Sequence, residues 1–269
     1  MSETQMNVKL IAHTQLSQAF KQELLHTGFI SDAGDEFNQG TDGQAVALTA
    51  IRTCYSSNKP SEIIEKEGAK YFGSKATDGQ GGTEADRLIR MIFASKHTST
   101  LEGITFNFAI EGVSRALLAQ LTRHRVGFSF SVQSQRYVKF GSGDRSKGFD
   151  YVMPDSITNG DTYRVRESIN GEVDEFKSKE IFDEVVEYLQ RAYDDLRDVG
   201  IPAEDARSIL PNASATNLVM TVNLRALLDF YAKRKVGRGA QSEITQLAER
   251  LREEVISVEP WVNQFFEEA

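Results

Sequence analysis

The chain has 269 residues, 40% of them hydrophobic and 26% charged, with a formal net charge of −8. That length allows one large domain or two small ones, burying about three quarters of the unfolded surface. No apolar run approaches the roughly 20 residues of a membrane span, Met1 to Lys9 is not a basic-then-apolar leader, the acidic balance argues against sequence-independent nucleic-acid binding, and a lone cysteine, Cys54, rules out an intrachain disulfide and fits the cytoplasm.

In chain order, Val8 to Ala12 reads as a short strand and Leu16 to Leu25 as a short helix. Ser31 to Gly43, rich in Gly, Asp and Asn, reads as a loop, Gln44 to Tyr55 as a helix, and the glycine-rich Lys75 to Gly82 as a second loop. Thr83 and Asp86 have the spacing of a capping box, and Ile89, Ile92 and Phe93 follow on one helical face. Gly79 to Gly82 lacks the Gly-Lys-Ser/Thr of a phosphate loop and reads as a flexible approach to that helix. Ile104, Phe106, Phe108 and Ile110 alternate with polar or small residues, the mark of a strand with one buried face. Arg115 to Thr122 reads as helix. Gly127 to Gln135 is serine-rich and polar, and reads as a loop bearing function.

Further on, Ile181, Val185, Leu189, Ala192 and Leu196 form one stripe of a long helix that Gly200-Ile201-Pro202 ends. Ala203 to Ile209 reads as a short helix, Ala215 to Val222 as a buried strand, and Leu224 to Tyr231 and Ile244 to Val255 as two more helices. The whole is α+β: a mostly antiparallel central sheet flanked by long helices, in a single domain spanning 1–269 with a variable part over about 1–48.

Charge is unevenly distributed. Gly112 to Gly143 holds Arg115, Arg123, His124, Arg125, Arg136 and Lys139 without one acid. Ala206 to Leu228 and Phe230 to Ser242 are likewise free of acids and carry Arg207, Arg225, Lys233, Arg234, Lys235 and Arg238. Basic segments in an acidic protein fit a compact anion such as a nucleotide phosphate; they equally fit solvated faces whose acids lie elsewhere in the fold. In Arg123-His124-Arg125 and the segment to Tyr137, guanidiniums can grip phosphate while amides and hydroxyls address a pyrimidine edge. Read alone, Arg225 and Lys233 are solvated helix charges, Ser129 and Ser131 plain serines, His124 a structural hydrogen-bonder and Cys54 a packed residue. The four histidines have no metal-ligand spacing, so no metal is expected.

Arg123-His124-Arg125, eight residues, Ser134, then Arg136-Tyr137 resembles the signature of the flavin-dependent thymidylate synthases in its longer form. Glu102 with the Phe106/Phe108 strand, Asn223-Leu224-Arg225-Ala226-Leu227, Arg234, Ala240 to Ile244 and Pro260-Trp261 resemble the same family's flanking segments. The resemblance covers roughly Thr49 to Phe265. It implies reductive methylation of dUMP to dTMP, with methylenetetrahydrofolate as carbon donor, NADPH as reductant of FAD, and a homotetramer whose subunits share active sites. It assigns dUMP to Gln120, Leu121, Thr122, Arg123, Val132, Gln133, Ser134, Gln135, Arg136, Arg207 and Arg234. FAD falls to Thr105, Arg123, His124, Arg125, Asn223, Leu224, Arg225 and Asp229. Arg234 would favour the ionised uracil ring, and Ser134 is the signature serine, so these two are the candidate catalytic residues. The chain departs from the family at Gly103, where a His lies beside flavin and folate, at Asp229 for Asn and at Arg238 for His. The rival readings are a non-catalytic nucleotide- or RNA-binding protein, and another flavoenzyme on the same scaffold.

Overall fold

The computed structural model describes residues 1–26, 40–159, 163–167 and 173–268. Their elements begin with β1 (Asn7–His13), α1 (Gln18–His26), α2 (Asp42–Thr53), α3 (Ile63–Phe72) and α4 (Glu84–Ala94). Next come β2 (Thr105–Ser114), α5 (Arg115–Leu121), β3 (Phe128–Val132), α6 (Asp155–Thr158), β4 (Tyr163–Glu167) and β5 (Val173–Lys177). The chain continues through α7 (Ser178–Asp198), α8 (Ala203–Ala206), β6 (Ala215–Asn223), α9 (Leu224–Arg234), α10 (Ser242–Val258) and α11 (Asn263–Glu268). None of the described helices is long and apolar enough to cross a membrane.

The sheet has the order β1-β2-β6-β3, and every pairing is antiparallel. One face carries Phe106, Phe108, Ile110, Leu218, Met220 and Val222 into the main core. Ile244, Leu247, Leu251 and Val255 of α10 cover it, as do Ile89 and Ile92 of α4. A fully buried side chain of this size contributes about 1.5–3 kcal/mol relative to exposure. The opposite face is mostly polar or small apart from Val219, with Asn107 and Thr221 bonded to each other at 2.6 Å. A smaller cluster of Phe140, Phe149, Val186, Tyr193 and Ala206 packs beneath α7.

Four expectations from the sequence change. Gly127 to Gln135 is not all loop: Phe128–Val132 pairs with β6, because Phe128, Phe130 and Val132 point inward while Ser129 and Ser131 face out. β6 is buried on one face only, since Val219 remains 42% exposed in the chain. On α7 the buried positions are Val186, Gln190 and Tyr193, with Val185 turned out. Gln190 lies inside because its amide bonds to Phe149 N–H and the Phe140 carbonyl. In the loop expected at Ser31 to Gly43, residues 31–39 lie outside the described residues. Asp42 and Gly43 open α2, because Thr41 before them and Gln44 after them form a capping box.

The expected capping box at Thr83 is present and extends further. Asp86 accepts from Thr83 N at 2.7 Å, from the Thr83 hydroxyl at 2.9 Å and, on its other oxygen, from Gln44 Nε2 at 2.6 Å. All three residues are buried. Asp86→Ala leaves these donors unsatisfied, at a cost of about 2–3 kcal/mol. In a thermal melt its Tm falls by roughly 5–10 °C, while Asp86→Asn recovers part of the loss.

Candidate active site

The site forms where α5, β3 and the start of α9 meet. α5 ends at Leu121 with Thr122 as its C-cap, so Arg123, His124 and Arg125 follow the helix in succession. The chain turns back at once: Phe128 N–H bonds to the Arg125 carbonyl, with Gly127 at φ +75 as the third residue of the turn. Gly127 O then accepts from Asn223 N at 3.1 Å. Asn223 caps α9, its side chain accepting from Ala226 N at 2.9 Å. This fixes the arginine motif against the first turn of α9 and encloses a cleft of about 410 Å³.

Glu102, Arg123, Arg125, Arg225, Asp229 and Lys233 supply the cleft's formal charges, leaving it net positive in an acidic protein. Arg225 is not a free helix charge, since it pairs with Glu102 just ahead of β2. Asp229 lies 3.8 Å from Lys233, both exposed, and has no arginine partner among the described ion pairs. Thr105 sits opposite Asn223 in the sheet, with its hydroxyl 3.1 Å from that of Thr14. Of the assigned FAD residues, His124, Arg123, Arg125, Asn223, Arg225 and Asp229 line the cleft, whereas the Leu224 side chain is buried in the core.

His124 is wedged against Phe230 and Phe128, at ring distances of 4.9 and 6.0 Å. Its Nε2 accepts from Arg234 Nε at 3.2 Å, so the proton of the neutral ring sits on Nδ1. Burial, then the cations of Arg234, Lys233 and Arg123, push its pKa down to about 4. Arg234 thus leans on a neutral acceptor, and no carboxylate among the described residues pairs with it. The unfolded chain protonates this ring near 6.5 and the folded chain near 4. The unfolded state therefore holds the extra proton between those values, and stability contributed by this group falls as pH drops through that window. In an NMR titration the His124 ring keeps its neutral chemical shift until pH nears about 4; a midpoint at the ordinary histidine value would contradict this environment.

The residues assigned to dUMP fall in three places. Gln120 reaches Gln241, while the Leu121 side chain is fully buried and the Thr122 hydroxyl bonds to the Leu118 carbonyl at 3.0 Å. Val132 ends β3 and Gln133 pairs with Asn217. Ser134 Oγ accepts from Arg136 N at 3.2 Å, and Gln135 is buried with its amide nitrogen unpartnered. Arg136 and Arg207 come together on α8, both contacting Glu204. Arg234 stands behind His124, bonded to that lining residue without lining the cleft itself. Arg238 follows α9, exposed, and a Cβ on Gly103 would meet only Val46 Cγ1, at 3.3 Å. The sequence reading left Glu102 and Glu204 without roles, and their partners lie 123 and 68 residues away.

An antiparallel α+β scaffold with a cleft lined by three arginines, Lys233, His124 and Phe128 has the character of proteins that could take an anionic, ring-bearing ligand. A family model described as thymidylate synthase complementing protein matches residues 37–261, and the chain belongs to that family. A flavin-dependent thymidylate synthase of Geobacter sulfurreducens is 35% identical over 221 residues, 82% of this chain and 81% of that protein. Another, from Haloarcula marismortui, is 35% identical over 233 residues, covering 84% and 92% respectively. Among solved structures, a UMP/dUMP methylase PolB from Streptomyces cacaoi bound with 5-Br dUMP has a TM-score of 0.65 at 20% identity, covering 99% of this chain and 96% of that one. That last likeness is one of fold.

Proposed function

We propose that the chain is a flavin-dependent thymidylate synthase that reductively methylates dUMP to dTMP in the cytoplasm. One observation carries the reading: the signature motif, the cap of α9 and the Glu102–Arg225 pair converge on a single net-positive cleft. FAD fits the donor set, because the excess positive charge suits a diphosphate and Phe128 adds an aromatic wall. Arg123, His124, Arg125, Asn223, Arg225 and Asp229 would hold it directly, with Thr105 and Leu224 placing the backbone around them. When bound, the flavin supplies hydride, with NADPH as reductant and methylenetetrahydrofolate as carbon donor.

This chain's residues bind, orient and polarise. Arg136 and Arg207 take the phosphate of dUMP, and Gln120 to Arg123 and Val132 to Gln135 surround the nucleoside. Methylation requires an electron-rich C5 on uracil. Arg234, anchored by Nε to a neutral His124, keeps its full charge and its Nη atoms for the N3–O4 edge of the ring, where it stabilises that electron-rich form. Cys54, expected from the sequence to be a packed residue, is instead exposed, and the proposed chemistry calls for no cysteine nucleophile. Within one chain, Arg136 and Arg207 rest on Glu204 while Arg234 rests on His124. Neighbouring subunits of a homotetramer bring the two groups onto one nucleotide.

The deciding experiment combines the visible spectrum of the purified protein with tritium release from dUMP labelled at C5, in the presence of the folate and NADPH. Yellow protein that releases tritium supports the reading. Colourless protein with salt-sensitive RNA binding would replace it with a nucleic-acid binder, and yellow protein without release would replace it with a different flavoenzyme.

A further inference from the structure

Arg136 and Arg207 meet on one residue that neither motif nor resemblance assigned. Glu204 Oε2 accepts from Arg136 Nε at 3.0 Å and from Arg136 Nη2 at 2.9 Å. The main-chain carbonyl of the same Glu204 accepts from Arg207 Nε at 3.0 Å. Both guanidiniums are therefore held by their Nε side, leaving each with free Nη hydrogens. The Arg136 guanidinium also lies 5.7 Å from the Tyr137 ring, which limits its swing.

We propose that Glu204 is the positioning residue of the phosphate subsite, setting Arg136 through its carboxylate and Arg207 through its carbonyl so that their Nη ends address one monophosphate. The proposal rests on dUMP being the substrate. Stability does not account for the pair, since the two side chains are 53% and 47% exposed and such pairs contribute little to folding. Its value lies in orientation: an arginine ordered before the ligand arrives loses less freedom on binding. The carboxylate does not neutralise the subsite. Arg115, at the start of α5, lies close enough to Arg207 for their like charges to oppose each other, and that repulsion adds to burial in lowering its pKa. Arg136 and Arg207 against the one Glu204 carboxylate leave positive charge over for a phosphate.

The test uses full-length, flavin-loaded protein. Glu204→Gln keeps the shape and removes the charge. The expected result is a KM for dUMP raised about 10-fold, with kcat and Tm close to wild type and with inhibition by deoxyuridine, which lacks the phosphate, unchanged. In an Arg136→Gln background, Glu204→Gln then adds no further rise in KM, because the partner it orients is gone. An unchanged KM overturns the role, as does a lowered KM, which would make Glu204 a competitor of the phosphate. Equal weakening towards deoxyuridine also overturns it, by pointing to general disorder of the site. Wild-type protein that fails to bind dUMP defeats the substrate reading itself and this role with it; wild-type binding with an indifferent Glu204→Gln defeats only the role.

Discussion

Arg234→Ala lowers kcat for dUMP methylation by about 10²–10³-fold, the usual cost of removing one preorganised stabiliser of developing charge, while flavin content stays near wild type. The separation follows from what each group touches. The cleft's lining cations are Arg123, Arg125, Arg225 and Lys233, and Arg234 is not among them. Arg234 instead contacts His124, which stays fixed between Phe128 and Phe230 without it. The variant also relieves one of the charges that keep the His124 ring neutral, so the histidine pKa rises. Burial, the larger cause, still disfavours the charged ring, so no imidazolium replaces the guanidinium. Arg234→Lys recovers part of the rate as a point charge without the planar fork. Steady-state rates and the visible absorbance of the purified variants decide the matter: activity equal to wild type in Arg234→Ala rejects the role, and parallel loss of flavin and activity makes Arg234 a cofactor-holding residue instead.

The signature from Arg123 to Tyr137 could be read from identities alone, as could the capped start of α4 and the alternating strand β2. β3 was obscured because serine content suggested loop while the period-2 placement of Phe128, Phe130 and Val132 specified a strand. In α7 the hydrophobic stripe gave the helix but not its phase. A buried glutamine is invisible to apolar periodicity, and only the fold supplies the Phe140 and Phe149 backbone groups that satisfy it. The ion pairs of the site were beyond sequence reasoning for a related cause. Glu102 and Glu204 look like ordinary surface acids until strand pairing and the α7–β6 connection carry them to Arg225 and Arg136. Spacing therefore identifies which residues bear the chemistry, whereas orientation comes from partners distant in the chain.

Gly127→Ala tests that orientation at its tightest point. Gly127 has φ +75, a conformation that costs a residue with a Cβ roughly 1–2 kcal/mol. The added methyl also stands 2.6 Å from both Ala226 Cβ and Asn223 Nδ2, far inside van der Waals contact. Relief requires moving the turn away from α9, which breaks the Gly127–Asn223 backbone bond and pulls on the Asn223 cap. Strain, a lost cap worth about 1 kcal/mol and a lost backbone bond together destabilise the fold by about 3–4 kcal/mol. The consequence for the site exceeds that for the fold. Arg123 to Arg125 enter the cleft only through this turn, and displacement of the motif by an ångström separates the arginines from the start of α9. Gly127→Ala is therefore expected to purify colourless, with dUMP methylation below detection, yet to retain a cooperative melt at reduced Tm, since the clash falls on Ala226 and Asn223 at the start of α9. A yellow, active Gly127→Ala protein would show that the motif reaches its ligand by another path than the one this turn imposes.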